Sequence, residues 1–258
     1  MSKSFKKDEI LKMLEVKNYL SVKDIAATFN ISDMTVRRYL AKMDMEKKLI
    51  KTHGGAIRIE LYKESPYSLR KEVNLEKKLL IAEEAIKDVQ DNQTLIIDSG
   101  STCYEFSKLL LSKKNLRIIT NDIKIANMLF THHEVYILGG LISKEYCSTS
   151  FNLQDEFINS INVDLLIMGI SAVSNDGILS SPYFDRSNIK KKFISRAHHR
   201  ILLVDSSKFM KSGFAEICTL REFDCVYTDE DIDKSLYKNL LKQGIKIKIC
   251  KKDKENEF

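Results

Sequence analysis

The chain has 258 residues, of which 43% are hydrophobic and 30% are charged, so it can bury a core and is not disordered throughout. No apolar run approaches the roughly 18 to 20 residues that cross a bilayer, and the first residues lack the unbroken apolar stretch of a signal peptide. Five cysteines without a CxxC pair suit a reducing compartment better than a disulfide framework or a zinc site. We therefore expect a cytoplasmic protein without a membrane segment, a metal or a cofactor.

Positive charge is concentrated at the start of the chain. The whole chain carries a formal net charge of +6. Residues 1–58 hold 13 Lys and Arg against 7 Asp and Glu, which accounts for all of that excess, because the other 200 residues are balanced. A basic region on a neutral body suggests that this region binds a polyanion, although a lysine-rich solvated surface gives the same charge count.

The first predicted elements are three helices. Residues 5–18 have the apolar spacing of an amphipathic helix. Ser21 is a suitable N-cap for a second helix over 22–30, and Ser32 is a suitable N-cap for a third helix over 33–48. In the third helix the apolar side chains recur at spacings of four and three, which leaves its polar and basic side chains on the outer face.

A hairpin with a glycine tip is predicted after the third helix. Short strand-like pieces at 49–52 and 56–58 flank His53, Gly54 and Gly55. Two helices joined by a tight turn are the usual device for reading the major groove of DNA, and a basic hairpin can contact phosphates. Each piece alone has an ordinary structural explanation, but together in this order they predict a winged helix-turn-helix.

The motifs of this region resemble a known family. The stretches ISDMTVRRYL at 31–40 and LIKTHGGAI at 49–57 are similar to the helix-turn-helix and wing of DeoR-family bacterial transcription regulators, which implies operator DNA as a partner. One departure is Tyr39, where the family usually has an acidic residue. The candidate DNA contacts are Ser32, Met34, Thr35, Arg37, Arg38, Lys51, His53, Gly54 and Gly55.

The rest of the chain divides into a polar segment and an α/β domain. Residues 59–75 are polar with weak periodicity, which predicts a linker between a domain over 1–58 and a domain over 76–258. In the second domain apolar strands alternate with helices, which predicts a Rossmann-like α/β fold with a mostly parallel sheet. The predicted strands are 94–98, 117–120, 135–138, 164–171, 201–205, 225–228 and 245–250, and the predicted helices are 76–89, 104–111, 123–130, 184–197 and 233–242.

Loops at the carboxyl ends of these strands carry the chemistry of a ligand site. The loop 98–102, Asp-Ser-Gly-Ser-Thr, joins a strand to a helix, so its N–H groups favour a phosphate. It lacks the lysine and the length of a Walker motif, which argues against nucleotide hydrolysis. Thr120 and Asn121 offer groups for sugar oxygens, the glycines at 139–140 permit close backbone approach, and Lys208 can reach a phosphate.

These loops also resemble the same family. The stretches DSGST at 98–102, ILGG at 137–140, MGIS at 168–171 and LLVDSSKF at 202–209 match its effector-sensing domain, which is similar in fold to the ribose-5-phosphate isomerase and CoA-transferase superfamily. The resemblance covers nearly all of residues 76–230 and implies a pocket for a phosphorylated sugar or related metabolite. The implied pocket residues are Asp98, Ser99, Gly100, Ser101, Thr102, Thr120, Asn121, Gly139, Gly140, Gly169, Lys190, Asp205 and Lys208.

Three further positions of the second domain bear on the pocket. Lys190 begins a run of three lysines which, taken one by one, fit a solvated helix face better than a ligand site. Phe151 stands where the family commonly has glycine, and Arg186 stands in a segment where acidic residues are common. The last two departures suggest an unusual effector.

Three functional hypotheses follow from these patterns. The leading one is a repressor of a carbohydrate operon whose affinity for DNA depends on a phosphorylated sugar, acting as a homo-oligomer because one small domain buries little DNA surface. The second is a sugar-phosphate isomerase or deaminase, which needs a general acid–base, but no pair of catalytic groups has a recognisable spacing and the histidines at 132–133 and 198–199 are expected at the surface. The third is an interaction module that binds a metabolite and a partner protein without DNA. The first hypothesis predicts no enzymatic activity.

Overall fold

The computed structural model describes residues 3–17, 19–46, 48–51, 54–57, 67–144, 146–150 and 155–252. The chain divides into two compact units, the first over residues 1–64 and the second over residues 65–258. The strands and helices are numbered here in chain order within the described residues.

The first unit combines three helices with a small antiparallel sheet. Its strand order is β1-β3-β2, so the first strand pairs with the hairpin that follows the helices. The elements are α1 Lys3–Lys17, β1 Tyr19–Ser21, α2 Val22–Phe29, α3 Asp33–Met45, β2 Ile50–Lys51 and β3 Gly55–Ile57. The sequence pattern does not predict β1, because three residues are too few to show a period.

Side-chain caps start α2 and α3 where the sequence predicted them. The hydroxyl of Ser21 accepts a hydrogen bond from the N–H of Asp24 at 3.0 Å, and the hydroxyl of Ser32 accepts one from the N–H of Thr35 at 3.3 Å. These bonds satisfy N–H groups that have no partner inside the helix. Asn30 adopts a left-handed conformation, with φ of 49°, and ends α2.

The apolar faces of the three helices meet in one core. The expected inward residues of α3, namely Val36, Leu40 and Met43, are all fully buried. They pack with Ile10 of α1 and Ile25 of α2, among others. The polar and basic face of α3 is therefore left outside.

The second unit is built on a seven-stranded parallel sheet, which confirms the predicted fold class. The strand order is β15-β14-β12-β9-β4-β5-β6. A three-stranded antiparallel sheet, β10-β11-β13, and a hairpin, β7-β8, are added to it. The strands are β4 Thr94–Ile97, β5 Arg117–Thr120, β6 Glu134–Ile137, β7 Leu141–Ser143, β8 Ser148–Ser150, β9 Val163–Gly169, β10 Ala172–Val173, β11 Ile178–Ser181, β12 Ala197–Leu203, β13 Ala215–Thr219, β14 Cys225–Asp229 and β15 Ile247–Cys250.

Helices cover both faces of the large sheet. The helices of the second unit are α4 Tyr67–Arg70, α5 Leu75–Ala85, α6 Ser101–Leu109, α7 Ile123–Leu129, α8 Asp155–Ser160, α9 Phe184–Arg196 and α10 Lys234–Lys242. Alternate residues of a strand face opposite layers: Leu95 packs in the core with Phe106 of α6, and Ile96 packs in the core with Phe193 of α9. Burial on both faces explains why the central strands are apolar throughout.

The second unit begins earlier than the predicted linker allowed. Of the range 59–75, residues up to 66 lie outside the described part, but Tyr67–Arg70 form α4 and Leu75 begins α5. Tyr67 is buried, and its ring packs edge-on against that of Tyr104 on α6, with ring centroids 6.0 Å apart. One aromatic anchor in a polar stretch has no period, so the sequence pattern did not reveal it.

Candidate functional site

The large sheet has a topological switch point between β4 and β9. From β4 the chain proceeds through β5 and β6 toward one edge, and from β9 it proceeds through β12, β14 and β15 toward the other. Parallel sheets of this kind bind ligands in the crevice outside the carboxyl ends of the strands at the switch point. The loop 98–102 after β4 and Gly169 at the end of β9 lie at this position.

Asp98 and Lys190 form a buried ion pair at the switch point. Asp98 is 1% exposed and Lys190 is 5% exposed. The Lys190 ammonium donates to Asp98 Oδ2 and, at 2.8 Å, to the Gly169 carbonyl, and the Gly169 N–H donates to Asp98 Oδ2 at 3.2 Å. The solvated-face interpretation of the lysine run is therefore wrong for Lys190, because its head group is taken up by a carboxylate far away in sequence.

The second oxygen of Asp98 is available as an acceptor. Among the described residues no group hydrogen-bonds to the buried Asp98 Oδ1. A buried carboxylate oxygen is costly without a donor, so it favours a ligand that brings one.

Within the described residues, no side chain caps the N–H groups in the first turn of α6. Gly100 precedes the helix with a φ of 147°, a conformation that other residues rarely adopt, and it makes no side-chain cap. The other helices that follow parallel strands directly differ: Asp122 caps α7 and Asp233 caps α10. The neighbouring hydroxyl side chains are those of Ser99 and Ser101, both buried, and of Thr102, which is half-buried. This arrangement suits an anion.

Asn121 positions the loop 98–102 from the end of β5. Its Oδ1 accepts a hydrogen bond from the Ser99 N–H at 3.1 Å, and its backbone carbonyl accepts one from the Thr149 N–H at 2.9 Å. Thr120 is also buried, and its hydroxyl accepts the N–H of Asp122 at 3.0 Å. Both predicted sugar-binding residues therefore have internal partners that shape the site.

A cluster of two arginines and two tyrosines, which no sequence motif predicts, lies beside this loop. It consists of Arg70, Tyr146, Tyr183 and Arg186, and is called here the Tyr146 cluster. Arg186 Nη2 donates to Ser99 Oγ at 3.2 Å, and its guanidinium carbon lies 4.4 Å from the ring centroid of Tyr146. The Arg70 guanidinium carbon lies 5.6 Å from the same centroid, and the hydroxyls of Tyr146 and Tyr183 are hydrogen-bonded. Arg186 had a sequence signal, as a departure from the family pattern, but Arg70 lay in the predicted linker.

Asp205 belongs to a second polar network, at the end of β12. Its Oδ1 accepts hydrogen bonds from Asn74 Nδ2 at 3.0 Å and from the Ser207 N–H at 3.1 Å. Lys77 on α5 bridges this loop to β14, with its ammonium 2.8 Å from Ser206 Oγ and 3.0 Å from the carboxylate of Asp229. Burial alone would raise the pKa of Asp229, but hydrogen bonds from Ser206 and Lys77 outweigh it and hold that pKa below its usual range. The network ties the loop to the start of α5.

Lys78 fixes the chain just before α5. Its buried ammonium donates to the carbonyls of Arg70 and Val73. Burial lowers the pKa of Lys78 to about 8. The negative charge of Asp205 opposes this lowering, and the positive charges of Lys208 and Arg70 add to it. Lys208 is half-buried, and its backbone N–H donates to the Asp205 carbonyl at 3.0 Å.

The glycines at 139–140 lie farther along the same edge of the sheet. They connect β6 to β7 and are half-buried, and Gly140 has a φ of 145°. In the described part of the chain, the hydrogen-bond network of the loop 98–102 reaches this region through Leu138, whose carbonyl accepts Thr149 Oγ1 at 2.6 Å. Phe151, the other departure in this region, lies outside the described residues.

The candidate DNA-binding face lies on α3. Met34, Arg37 and Arg38 are exposed, whereas Tyr39 is half-buried. Ser32 is exposed at the start of the helix, where its hydroxyl shares a hydrogen bond of 3.0 Å with that of Thr35. Lys51 is exposed on the hairpin, Gly54 is exposed at its tip, and His53 lies outside the described residues.

Gly55 differs from the other predicted DNA contacts because it is buried. It lies in β3 opposite Ser21, and a Cβ atom there would meet the Leu20 carbonyl oxygen at 2.0 Å. The requirement for glycine therefore has an explanation inside the first unit, where two backbones approach closely.

Neither a metal-binding group nor a membrane-spanning helix is found among the described residues. Their His, Cys, Asp and Glu side chains form no group of three or more that could hold a metal ion. None of the helices in the described ranges is long and apolar enough to cross a bilayer.

His133, expected at the surface, is buried instead, and its Nε2 lies 2.9 Å from the Leu110 carbonyl oxygen.

Two family models match the two units. The DeoR-like helix-turn-helix domain matches residues 6–61, and the DeoR C terminal sensor domain matches residues 73–230. The chain belongs to the DeoR family. It is a DNA-binding transcriptional regulator in which a helix-turn-helix domain precedes a sensor domain, and the resemblance described from the motifs is confirmed.

Two repressors match this DeoR-family chain along nearly their whole length. The glycerol-3-phosphate regulon repressor of Escherichia coli (strain K12) is 27% identical over 252 residues, which cover 97% of this chain and 100% of the relative. The lactose phosphotransferase system repressor of Staphylococcus epidermidis is 29% identical over 241 residues, which cover 91% of this chain and 95% of the relative.

Solved structures resemble the DeoR-family chain only in part. A D-ribose-5-phosphate isomerase in complex with phospho-erythronic acid has a TM-score of 0.40 at 20% identity, covering 52% of this chain and 54% of that one. A probable sor operon regulator from Shigella flexneri has a TM-score of 0.41 at 12% identity, covering 66% of this chain and 89% of that one.

Proposed function

We propose that this DeoR-family protein represses a carbohydrate operon, and that a phosphorylated sugar bound at the loop 98–102 controls its affinity for operator DNA. The observation that carries the proposal is the uncapped first turn of α6 at the switch point, next to the buried Asp98 Oδ1, which lacks a donor among the described residues. One group favours a phosphate and the other favours a hydroxyl, so the two together suit a phosphorylated polyol.

The phosphate is proposed to lie against the first turn of α6. Backbone N–H groups there point outward, and the positive end of the helix dipole favours an anion. Ser101 and Thr102 add hydroxyl donors. Gly100 leaves the approach free, since apart from its chain neighbours no atom of the described residues lies within 4 Å of the position of its missing Cβ. Arg186 supplies the first cation, because its guanidinium already reaches Ser99 of the same loop.

The sugar hydroxyls are proposed to bind at Asp98. Lys190 and Gly169 hold its Oδ2, so that Oδ1 alone is left for a ligand donor. Gly169 is tightly placed, since a Cβ there would lie 3.3 Å from Cys103 Sγ. Thr120 and Asn121 are proposed to act mainly by shaping the loop 98–102. Asp205 and Lys208 are proposed to contribute to the effector site from the network at the end of β12.

DNA recognition is assigned to the exposed face of α3 and to the hairpin. An arginine on a recognition helix can reach the edge of guanine or a phosphate, and exposed Arg37 and Arg38 offer both contacts. Lys51 and Gly54 are proposed to contact phosphates from the hairpin.

A homo-oligomer is part of the proposal. A single helix-turn-helix domain makes a small interface with DNA, and high affinity comes from two such domains on repeated half-sites. A ligand can change DNA affinity only if it binds one arrangement of these domains more tightly than another.

We also propose that the protein performs no catalysis at this site. General acid–base chemistry requires a group that can exchange a proton with the substrate. Lys190 is held by Asp98 and by the Gly169 carbonyl, so its ammonium acts as a fixed donor that orients the carboxylate. Turnover of any sugar phosphate by the purified protein would overturn this point.

The test measures binding of the full chain to its own upstream DNA by fluorescence anisotropy at fixed salt. Fructose 6-phosphate, glucose 6-phosphate, fructose 1,6-bisphosphate and glycerol 3-phosphate are added in turn. We expect at least one to shift the DNA affinity by about tenfold, which corresponds to about 1.4 kcal/mol of coupling. Specific DNA binding that none of these compounds changes would contradict the assignment of the pocket.

A pair of variants locates the effect. Thr102→Glu places a carboxylate in the first turn of α6, where it competes with a phosphate, so the response to the compound should be lost while DNA binding persists. Ser112→Glu introduces the same charge at an exposed position after the other end of the helix and should leave the response intact. An unchanged response in Thr102→Glu would exclude this helix as the phosphate site.

A further inference from the structure

Residues 67–74, called here the strap, contact the ligand loops of the second unit at both of their ends. The ring of Tyr67 packs edge-on against that of Tyr104, in the first turn of α6. At the other end Asn74 Nδ2 donates to Asp205 Oδ1 at 3.0 Å, in the loop after β12. The strap therefore reaches elements on both sides of the switch point.

Two further contacts hold the strap between these ends. The ammonium of Lys124, in the first turn of α7, lies 3.7 Å from the centroid of the Tyr67 ring and donates to the Tyr146 carbonyl at 3.3 Å. The guanidinium carbon of Arg70 lies 5.6 Å from the centroid of the Tyr146 ring, in the turn between β7 and β8. A ligand at the carboxyl ends of the strands thus meets the same loops that hold the strap.

The strap has little stability of its own. Its helix, α4, has four residues, and so short a helix is not stable in isolation. Tyr67 is the one apolar side chain of the strap that is buried, because Leu69 and Val73 are 58% and 59% exposed. The position of the strap is therefore set by its anchors, and segments with so few buried contacts open at a low cost in free energy.

The anchor at Asp205 is the one that a ligand can displace. Asp205 Oδ1 already accepts hydrogen bonds from Asn74 Nδ2 and from both the N–H and the hydroxyl of Ser207. These three donors occupy the lone pairs of one carboxylate oxygen. A ligand hydroxyl that donates to this oxygen must replace one of them. Ser207 belongs to the same short loop as Asp205, so the bond from the strap is the one that yields.

Lys78 keeps the strap attached to α5 when that bond is lost. Its buried ammonium donates to the carbonyls of Arg70 and Val73, and neither carbonyl belongs to a ligand loop. Loss of the Asp205 contact therefore lets the strap turn about this attachment without unfolding the second unit.

We propose that the strap couples the effector site to DNA binding, and that the effector releases it by displacing Asn74 from Asp205. The inference rests on the proposed function, since it takes Asp205 as part of the effector site. The first unit ends at residue 64 and the strap begins at residue 67, so a release of the strap is passed directly to the connection with the DNA-binding unit. A ligand that favours the released state shifts DNA affinity by its preference for that state. Tyr67 and Asn74 are then positioning residues that contact no DNA.

Anisotropy titrations of the full chain on its own upstream DNA compare two variants with the wild type. Glycine accepts the left-handed conformation of Asn74, whose φ is 56°, so Asn74→Gly removes the bond to Asp205 without straining the backbone. Tyr67→Leu keeps an apolar side chain but loses the ring contacts. Ser68→Ala changes an exposed residue of the same helix and is the control. Circular dichroism verifies that each variant is folded.

Both variants should imitate the effector. Fructose 6-phosphate, glucose 6-phosphate, fructose 1,6-bisphosphate and glycerol 3-phosphate are the compounds tested. Without any of them, each variant should shift DNA affinity by about threefold or more, in the direction in which the active compound shifts the wild type. The further response to that compound should shrink accordingly, because the strap is already released. Ser68→Ala should behave as the wild type does in both respects.

Hydrogen exchange followed by mass spectrometry reports on the strap in the wild type itself. The Lys71 N–H donates to the Tyr67 carbonyl at 2.9 Å within the strap. Peptides that span residues 67–74 should exchange faster when the active compound is present, although ligand binding usually slows exchange near the site. Asn74→Gly should show the faster exchange without the compound. A purely structural role of Asn74 would not make the strap of the wild type respond to the compound.

The outcomes separate this inference from the proposed function. Wild-type DNA affinity of both variants without a compound would overturn the coupling by the strap and leave the proposed function standing. Unchanged or slower exchange of the strap, with a compound that does shift DNA affinity, would overturn it as well. If none of the four compounds changes DNA binding, the sugar-phosphate assignment is contradicted, and the affinities of the two variants without a compound still decide for or against the strap.

Discussion

Lys190 and Asp98 are 92 positions apart in the sequence, and their side chains form an ion pair that is almost completely shielded from solvent. The pair joins α9 to the end of β4 at the switch point. Two charges in such a place are tolerated because each neutralises the other and because Gly169 supplies both a donor and an acceptor. Removal of either partner leaves a charge in a site of low polarity.

Lys190→Met should destabilise the protein strongly. It leaves the Asp98 carboxylate buried without its cation, and breaking a buried pair in this way costs about 3–5 kcal/mol. Urea unfolding followed by circular dichroism measures the loss. Lys191→Met, on the exposed side of α9, should change the free energy of unfolding by less than about 0.5 kcal/mol, and the double variant Asp98→Asn with Lys190→Met should recover part of the loss. Equal stability of the Lys190 and Lys191 variants would show that the pair is not buried as described.

Alanine at Arg37 and Arg38 should weaken DNA binding and its dependence on salt. Each phosphate contact that is lost reduces the slope of log affinity against log salt by about 0.9, and a lost contact to a base edge also relaxes sequence preference by about 1–3 kcal/mol. Anisotropy titrations at several salt concentrations measure both effects. Lys12→Ala removes one charge from α1, where the side chain is largely exposed, and serves as the control. An unchanged salt slope in the double arginine variant would exclude α3 as the DNA-contacting helix.

The sequence predicted features whose signal is local. The N-caps Ser21 and Ser32, the apolar face of α3 and the strand before the loop 98–102 are all read from neighbours a few positions away, and all are present. These features follow from backbone hydrogen bonding and from periodicity, which short stretches of sequence contain.

Features that depend on distant partners were not predictable in the same way. A lysine in a run of lysines looks solvated, and Lys190 is buried only because the fold brings Asp98 to it. Arg70 lies in a polar segment without hydrophobic periodicity. The ring that its guanidinium contacts belongs to Tyr146, which is 76 positions later in the chain. The exposure of a residue is set by packing between elements, which the pattern within one element does not contain.

The unfolding free energy should respond to pH through Lys78. Its pKa in the folded protein is about 8, against an ordinary value of 10.5. Between these values the unfolded chain binds more protons than the folded one, so this group makes the protein more stable as the pH rises from about 8 to 10.5. The free energy of unfolding of the wild type minus that of Lys78→Met should therefore be larger at pH 9.5 than at pH 7.

The subtraction isolates this group from other titrations. Burial raises the pKa of Cys218 and of Cys250 to about 12, which lowers stability above pH 9, but both thiols are present in the two proteins and cancel. Lys87→Met, at an exposed lysine, provides the control for the loss of one surface charge. A difference for Lys78→Met that stays constant or falls would contradict the burial of the ammonium.

Thiol reactivity should distinguish Cys147 from Cys103. Cys103 is fully buried, and burial raises its pKa well above the usual value, so both access and the thiolate fraction are low. Cys147 is half-buried in the turn between β7 and β8. Labelling with iodoacetamide at pH 8, followed by peptide mass spectrometry, should modify Cys147 first and Cys103 only in denaturant. Early modification of Cys103 would show that the first turn of α6 opens in the native protein.

Gly55→Ala should unfold or distort the first unit and abolish DNA binding as a consequence. The added Cβ would meet the Leu20 carbonyl oxygen at 2.0 Å, and backbone atoms of β1 cannot move aside as a flexible side chain can. Overpacking of this kind costs about 1–3 kcal/mol or more. Gly54→Ala changes the exposed neighbour, so a loss of DNA affinity there without a loss of stability would indicate a direct contact with DNA. Limited proteolysis reports on the first unit, because the second unit should keep its resistance in both variants. A stable Gly55→Ala protein that still fails to bind DNA would instead assign Gly55 a contact with the operator.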